Sequence, residues 1–288
     1  MRDERSHEAE AALSAESADA SSLSSIAARF HSDLSLSSRM LKALLAGALQ
    51  WLSARDLGAI SAVCKEFAAA STVPFFWAWL DLTPVAKPAL FFDSRLLESS
   101  RFSAVVSLTI QFCPTLLDEH LELLPQWNLR HLSLDACHSL TDEGIKAATK
   151  RCGKKLQSIS LYWNSNFTMS AALAISIRCP NIRSISLSGC GHINSEGLLA
   201  IASRCSKLHY LNLTRLLMID DVALSAVAQS LVLLGLNCPR LRKLNLSWCK
   251  KIGDETVCAV ARGCQLQLIS LHGNLNVTEA SRKALVTH

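Results

Sequence analysis

The apolar residues of this chain return at fixed offsets. In Leu241–Glu255, LRKLNLSWCKKIGDE, leucines stand at positions one, four and six (Leu241, Leu244, Leu246), Cys249 follows at nine and Ile252 at twelve, with polar residues between them. Leu129–Glu143, LRHLSLDACHSLTDE, has nearly the same frame. Aligned on position six, the frame returns at Ile110, Leu134, Leu161, Leu187, Leu213, Leu246 and Leu271, in steps of 24, 27, 26, 26, 33 and 25 residues. A unit repeating at such a period buries its apolar face against the next unit, so it stacks rather than enclosing a core of its own. The alternation around positions four and six predicts a short strand, aliphatics inward and polar residues outward. Cys or Asn at nine (Cys113, Cys137, Asn164, Cys190, Cys249, Asn274) is compact enough to turn the chain and tolerates burial, with Leu216 as the one exception. Phrases such as Leu140-Thr141-Asp142-Glu143 and Ile252-Gly253-Asp254-Glu255 then predict a helix start, capped by a polar side chain or led by acidic residues that suit the helix dipole. The helices close on Arg151-Cys152, Arg178-Cys179-Pro180, Arg204-Cys205, Asn237-Cys238-Pro239 and Gly263-Cys264, where a following proline prevents continuation.

With these residues in place, the frame L-x-x-L-x-L-x-x-C-x-x-I-T-D, closed by R-C-P, resembles the cysteine-containing leucine-rich repeats of F-box/LRR proteins. The resemblance covers residues 102–288, about seven repeats, and implies an α/β leucine-rich repeat solenoid: a ribonuclease-inhibitor-like horseshoe arc with strands on its concave face and helices on its convex face. The step from Leu213 to Leu246 is too long for the frame and predicts an insertion of about seven residues near Ser230 to Leu236, SLVLLGL, because the residues on either side fit.

A different pattern precedes the repeats. Residues 1–32 are rich in Ser, Ala and Glu and predict a flexible tail. In 33–82, Met40, Leu41, Leu44, Leu45, Ala48, Leu49 and Leu52 fall on one helical face, Ser53–Asp56 break it, and a second helix is predicted from about Leu57 to Ala70. The phrases L52-S-A-R-D-L57, V63-C64-K65-E66-F67 and F76-W77-A-W79-L80-D81-L82 resemble an F-box, although the Leu-Pro pair that opens that motif is absent. The resemblance implies a small helical domain with Leu52, Leu57, Val63, Cys64, Phe67 and Trp77 in its core, some of them reaching a Skp-type adaptor that links to a cullin. Residues 83–101 are then a linker or solenoid cap.

Composition narrows the function. Nine of the eleven cysteines occupy the two repeat positions, the count is odd and no secretion signal is evident, which predicts reduced thiols and a cytoplasmic or nuclear protein. No C-x-x-C pair suggests a metal site. The formal charge of +5 is modest and its Lys and Arg are spread along the chain, which argues against nucleic acid as the main partner; the densest cluster, Lys150-Arg151-Lys154-Lys155, reads as the cationic end of a helix. The apolar run Met40–Leu52 is too short to span a bilayer, so no membrane partner is expected. Gly189-Cys190-Gly191 lacks the third glycine of a dinucleotide loop, Cys137-His138 lacks an orienting third group, and the sequons at Asn166, Asn212, Asn245 and Asn276 fall on repeat positions. No cofactor and no catalysis are expected of this chain.

Function is then expected from its surfaces. Outward strand positions carry Arg130, His131, Asp135, Tyr162, Trp163, Tyr210, Arg215 and Trp248, and among these Tyr162, Trp163, Tyr210, Arg215 and Trp248 are the candidates for binding a protein substrate, because aromatics and Arg are favoured interface anchors. Together with the F-box resemblance this implies the substrate-recognition subunit of an SCF-type E3 ubiquitin ligase. The competing expectation is an intracellular scaffold whose N-terminal helices merely cap the repeats, since stacked repeats need capped ends.

Overall fold

In the computed structural model the residues described are 73–83, 97–218 and 237–286, preceded by isolated positions from Leu52 to Ser71. The chain divides into two compact units, Met1–Trp77 and Ala78–His288.

The second unit is one parallel sheet of eight strands in sequential order: β1 Trp79–Asp81, β2 Ser107–Thr109, β3 His131–Ser133, β4 Ser158–Ser160, β5 Ser184–Ser186, β6 Tyr210–Asn212, β7 Lys243–Asn245 and β8 Leu268–Ser270. From β2 onward each strand is positions three to five of the frame. The middle residue is buried in β2 to β7, whereas both flanking residues are partly exposed in β3, β4, β5 and β7. Register is maintained throughout: Leu108, Leu132, Ile159, Ile185, Leu211, Leu244 and Ile269 follow one another as Cα partners. Burying such a side chain contributes roughly 1.5–3 kcal/mol, so a row of them, with the position-six row behind it, holds the stack together. β6 pairs directly with β7, so the long sequence step between them leaves the sheet uninterrupted; the expected insertion at Ser230 to Leu236 lies outside the described residues.

Helices α1 Asp118–Glu122, α2 Asp142–Cys152, α3 Met169–Arg178, α4 Ser195–Arg204, α5 Asp254–Gly263 and α6 Glu279–Val286 return the chain between strands or follow the last one. Thr141 caps its helix as expected, and Thr168 and Asn194 do the same for theirs. The acidic first-turn residue also reaches the next coil: Asp142 accepts hydrogen bonds from Thr168 N and Oγ1 (2.9 and 2.6 Å), and Asp118 does the same for Thr141. Asp254 and Thr278 repeat the arrangement.

The sheet starts one strand earlier than the sequence frame. Leu80 and Leu82 occupy positions four and six of an additional coil, so residues 78–82, assigned above to the end of the F-box-like segment, contribute β1. In the first unit, Leu57 is buried, Leu52 is half-buried, and Trp77 is buried at the end of a 3-10 turn, Pro74–Trp77, with its Nε1 donating to Ser71 O at 2.6 Å. Val63, Cys64 and Phe67, and the expected tail 1–32, lie outside the described residues. No helix among the described residues is long and apolar enough to cross a membrane.

Candidate functional site

Each coil leaves its strand through positions six to nine, and this turn builds the exposed face. Position-nine side chains look inward and donate to the position-six carbonyl of the preceding coil: Cys137 Sγ to Ile110 O, Cys190 Sγ to Leu161 O and Cys249 Sγ to Leu213 O at 3.4, 3.0 and 3.1 Å, with Asn164 and Asn274 Nδ2 making the same bond at 2.9 Å. Cys and Asn alternate here because both are compact donors for a buried carbonyl, a role their size alone does not reveal. Burial pushes the Cys137 and Cys190 thiols up to about 12, and that of Cys249 to about 11. The ten described cysteines are free thiols.

Position eight is left-handed in every coil from β2 to β8: Phe112, Ala136, Trp163, Gly189, Arg215, Trp248 and Gly273 have φ between 53° and 76°. Its amide donates to the position-seven carbonyl of the next coil, as Trp163 N does to Ser188 O at 2.8 Å. A non-glycine residue in this region costs about 1 kcal/mol or more. Four coils nevertheless place a large side chain there, directed away from the core; Phe112, Trp163 and Trp248 retain 54%, 52% and 40% of their exposure.

These side chains are supported from below. Asp135 Oδ1 accepts from Tyr162 N at 2.9 Å and from Ser160 Oγ at 2.6 Å, fixing the turn that carries Trp163. Burial raises the Asp135 pKa, while the hydrogen bonds from Ser160, Tyr162 and Ser133 oppose that shift. Asn212 Oδ1 accepts from Thr214 N and Asn245 Oδ1 from Ser247 N (3.1 and 2.9 Å), fixing the turns of Arg215 and Trp248. The Tyr162 and Trp163 rings meet edge to face at 5.6 Å, Trp248 meets His272 at 5.3 Å, and the Arg215 guanidinium lies 6.0 Å from the Trp248 ring centroid. Gly273 makes room for Trp248: a Cβ there would lie 2.5 Å from the indole.

Four of the five expected binding residues therefore share one end of the strands, as the pairs Tyr162/Trp163 and Arg215/Trp248, with Gly189 in the coil between them. Tyr210 is apart from them, at position three of β6, half-buried between Ser184 and Lys243. The sequence reading missed Phe112, which the frame places at position eight of the β2 coil, and Trp79, exposed on β1 and stacked on His131 at 5.8 Å. Among the described residues no group of His, Cys, Asp and Glu is arranged to hold a metal ion.

Comparison with known proteins agrees with this geometry. The model of the leucine-rich repeat family matches residues 128–147, 178–202 and 237–259, so leucine-rich repeats are present, and the fold is a leucine-rich repeat solenoid. A chain of the yeast Rad7–Elc1 complex is similar at 20% identity with a TM-score of 0.53; the match covers 65% of this chain and 54% of that one, about half its length. LegL7, a leucine-rich repeat-containing protein of Legionella pneumophila, is 20% identical over 76% of this chain and 81% of its own, with a TM-score of 0.45. InlP of Listeria monocytogenes is 16% identical over 65% of this chain and 46% of its own, with a TM-score of 0.35.

Proposed function

We propose that this protein is a substrate-recognition subunit of an SCF-type E3 ubiquitin ligase, in which the F-box-like segment preceding the sheet holds a Skp-type adaptor and the exposed ends of the repeat strands hold a protein target. The observation that carries target binding is the row at positions seven and eight: Phe112, Tyr162, Trp163, Arg215 and Trp248 combine aromatic and guanidinium surface with positions fixed by the sheet and by Asp135, Asn212 and Asn245. Such side chains dominate interface energetics, and a rigid frame limits the entropy lost on binding. A left-handed residue that is neither Gly nor Asn is retained against its conformational cost at each of these turns, which supports a use for the side chain itself.

The adaptor end of the proposal is supported by the sequence resemblance at Leu52, Leu57, Val63, Cys64, Phe67 and Trp77. The chain then performs no chemistry; it raises the local concentration of a lysine-bearing target beside a ubiquitin-charged enzyme on the same scaffold. The test is affinity capture of the full chain from cells. Adaptor and cullin are expected to co-purify with it and to be lost with Leu57→Asp, which places a carboxylate in an apolar contact. Their absence from wild-type captures rejects the ligase reading and returns the protein to the scaffold class.

A further inference from the structure

The opposite ends of the strands carry a second surface, independent of the ligase reading. Stacking brings together cations about 26 residues apart in sequence. Position-two residues are neighbours in the backbone ladder, Gln157 N donating to Arg130 O at 2.8 Å and Arg183 N to Gln157 O at 2.7 Å. Just before the strands, Lys155 Nζ donates to Asn128 Oδ1, and Lys207 Nζ to Asn181 Oδ1 at 2.6 Å. The result is a staggered lattice: Arg130 and Arg183 in one row, Lys155 and Lys207 in the other, each offset by one coil, with Lys154 at the margin. They line an open groove of about 450 Å³. The scatter of charge along the sequence thus becomes five cations in one place.

Three features define what this groove would take. No Asp or Glu lines it, and among the described residues none of the five cations is paired with a carboxylate. Lys155 and Lys207 are held by neutral amide oxygens, which leaves their positive charge uncompensated. A ligand must therefore supply the negative charge. No aromatic side chain lines the groove, so it lacks the stacking platforms by which single-stranded nucleic acid is held.

We infer that the groove binds an extended acidic peptide of a partner protein, running across the strands, its carboxylates on the Arg130/Arg183 and Lys155/Lys207 rows. Spacing agrees with this. Strands lie about 4.8 Å apart, so cations in one row, two coils apart, are spaced by roughly 9.6 Å. In an extended polyproline-type peptide, rising about 3.1 Å per residue, every third side chain recurs after roughly 9.3 Å. The preferred ligand has Asp or Glu at every third residue.

The test is fluorescence anisotropy with the full chain at low salt. The probe is a labelled peptide of about twelve residues with Glu at every third position, compared with its Gln counterpart and with a single-stranded oligonucleotide of equal net charge. The Glu peptide is expected to bind at least tenfold more tightly than either. Arg130→Gln/Arg183→Gln, two exposed positions, should weaken it at least tenfold, whereas Arg204→Gln/Lys250→Gln, which removes the same charge elsewhere, should not. Equal loss in both variants, tighter binding of the oligonucleotide, or no binding of the Glu peptide overturns the assignment.

Discussion

At the scale of single residues, the turn after each strand separates structural side chains from available ones. Cys190 belongs to the first kind. Cys190→Asn preserves a donor to Leu161 O and is expected to stay near wild-type stability, whereas Cys190→Val removes one of that carbonyl's two donors, leaving Asn164 Nδ2, at a cost of about 0.5–1.5 kcal/mol; equal melting temperatures for the two variants would show that the thiol donates nothing. Trp163 belongs to the second kind. Trp163→Gly removes a half-exposed ring but relieves a φ of 59°, so stability should change by less than about 1 kcal/mol in thermal unfolding, and a much larger loss would make the ring part of the fold. The cysteines also set a pH dependence. Unfolded thiols ionise near 8.5. In the fold, Cys137, Cys152, Cys190, Cys205 and Cys238 are held at about 12, so the native state retains its protons where the unfolded chain has lost them. Their contribution is complete below about pH 8.5 and is lost as pH rises towards 12, giving a melting temperature that is flat near neutrality and falls steeply in alkali.

At the scale of elements, each coil is bound to the next by more than the sheet. Asp142 accepts from Thr168 N, Thr168 Oγ1 and Ala171 N, so it serves both its own helix and the entry to α3. Asp142→Ala should cost about 1–2 kcal/mol and raise amide exchange first at the start of α3; unchanged exchange there would assign the effect to α2 alone. These elements were largely legible in the sequence, because the positions that make a strand, a turn and a cap recur with the frame. β1 was not, since Leu80 and Leu82 fit the strand frame but follow a helical pattern and were read with it. The left-handed state of position eight was also hidden: Gly189 and Gly273 signal it, but Phe112, Trp163, Arg215 and Trp248 at the equivalent positions do not. Of the basic groove only Lys154-Lys155 stood out, read as a helix end, because Arg130, Arg183 and Lys207 join them only through stacking.

At the scale of the whole molecule, the repeat unit presents its side chains on two strand ends, aromatic and guanidinium groups at one and cations at the other. The central claim is that the first of these holds a target while a separate segment holds the adaptor. It is tested most directly by Trp163→Ala/Arg215→Ala in the full chain, comparing target and adaptor capture in the same cells. Removing two interface anchors costs about 2 kcal/mol or more, roughly a thirtyfold loss of affinity. The account predicts that this variant, folded by circular dichroism, still captures adaptor and cullin but no longer captures or ubiquitinates the proteins bound by the wild type. Undiminished target capture by the folded variant would contradict it.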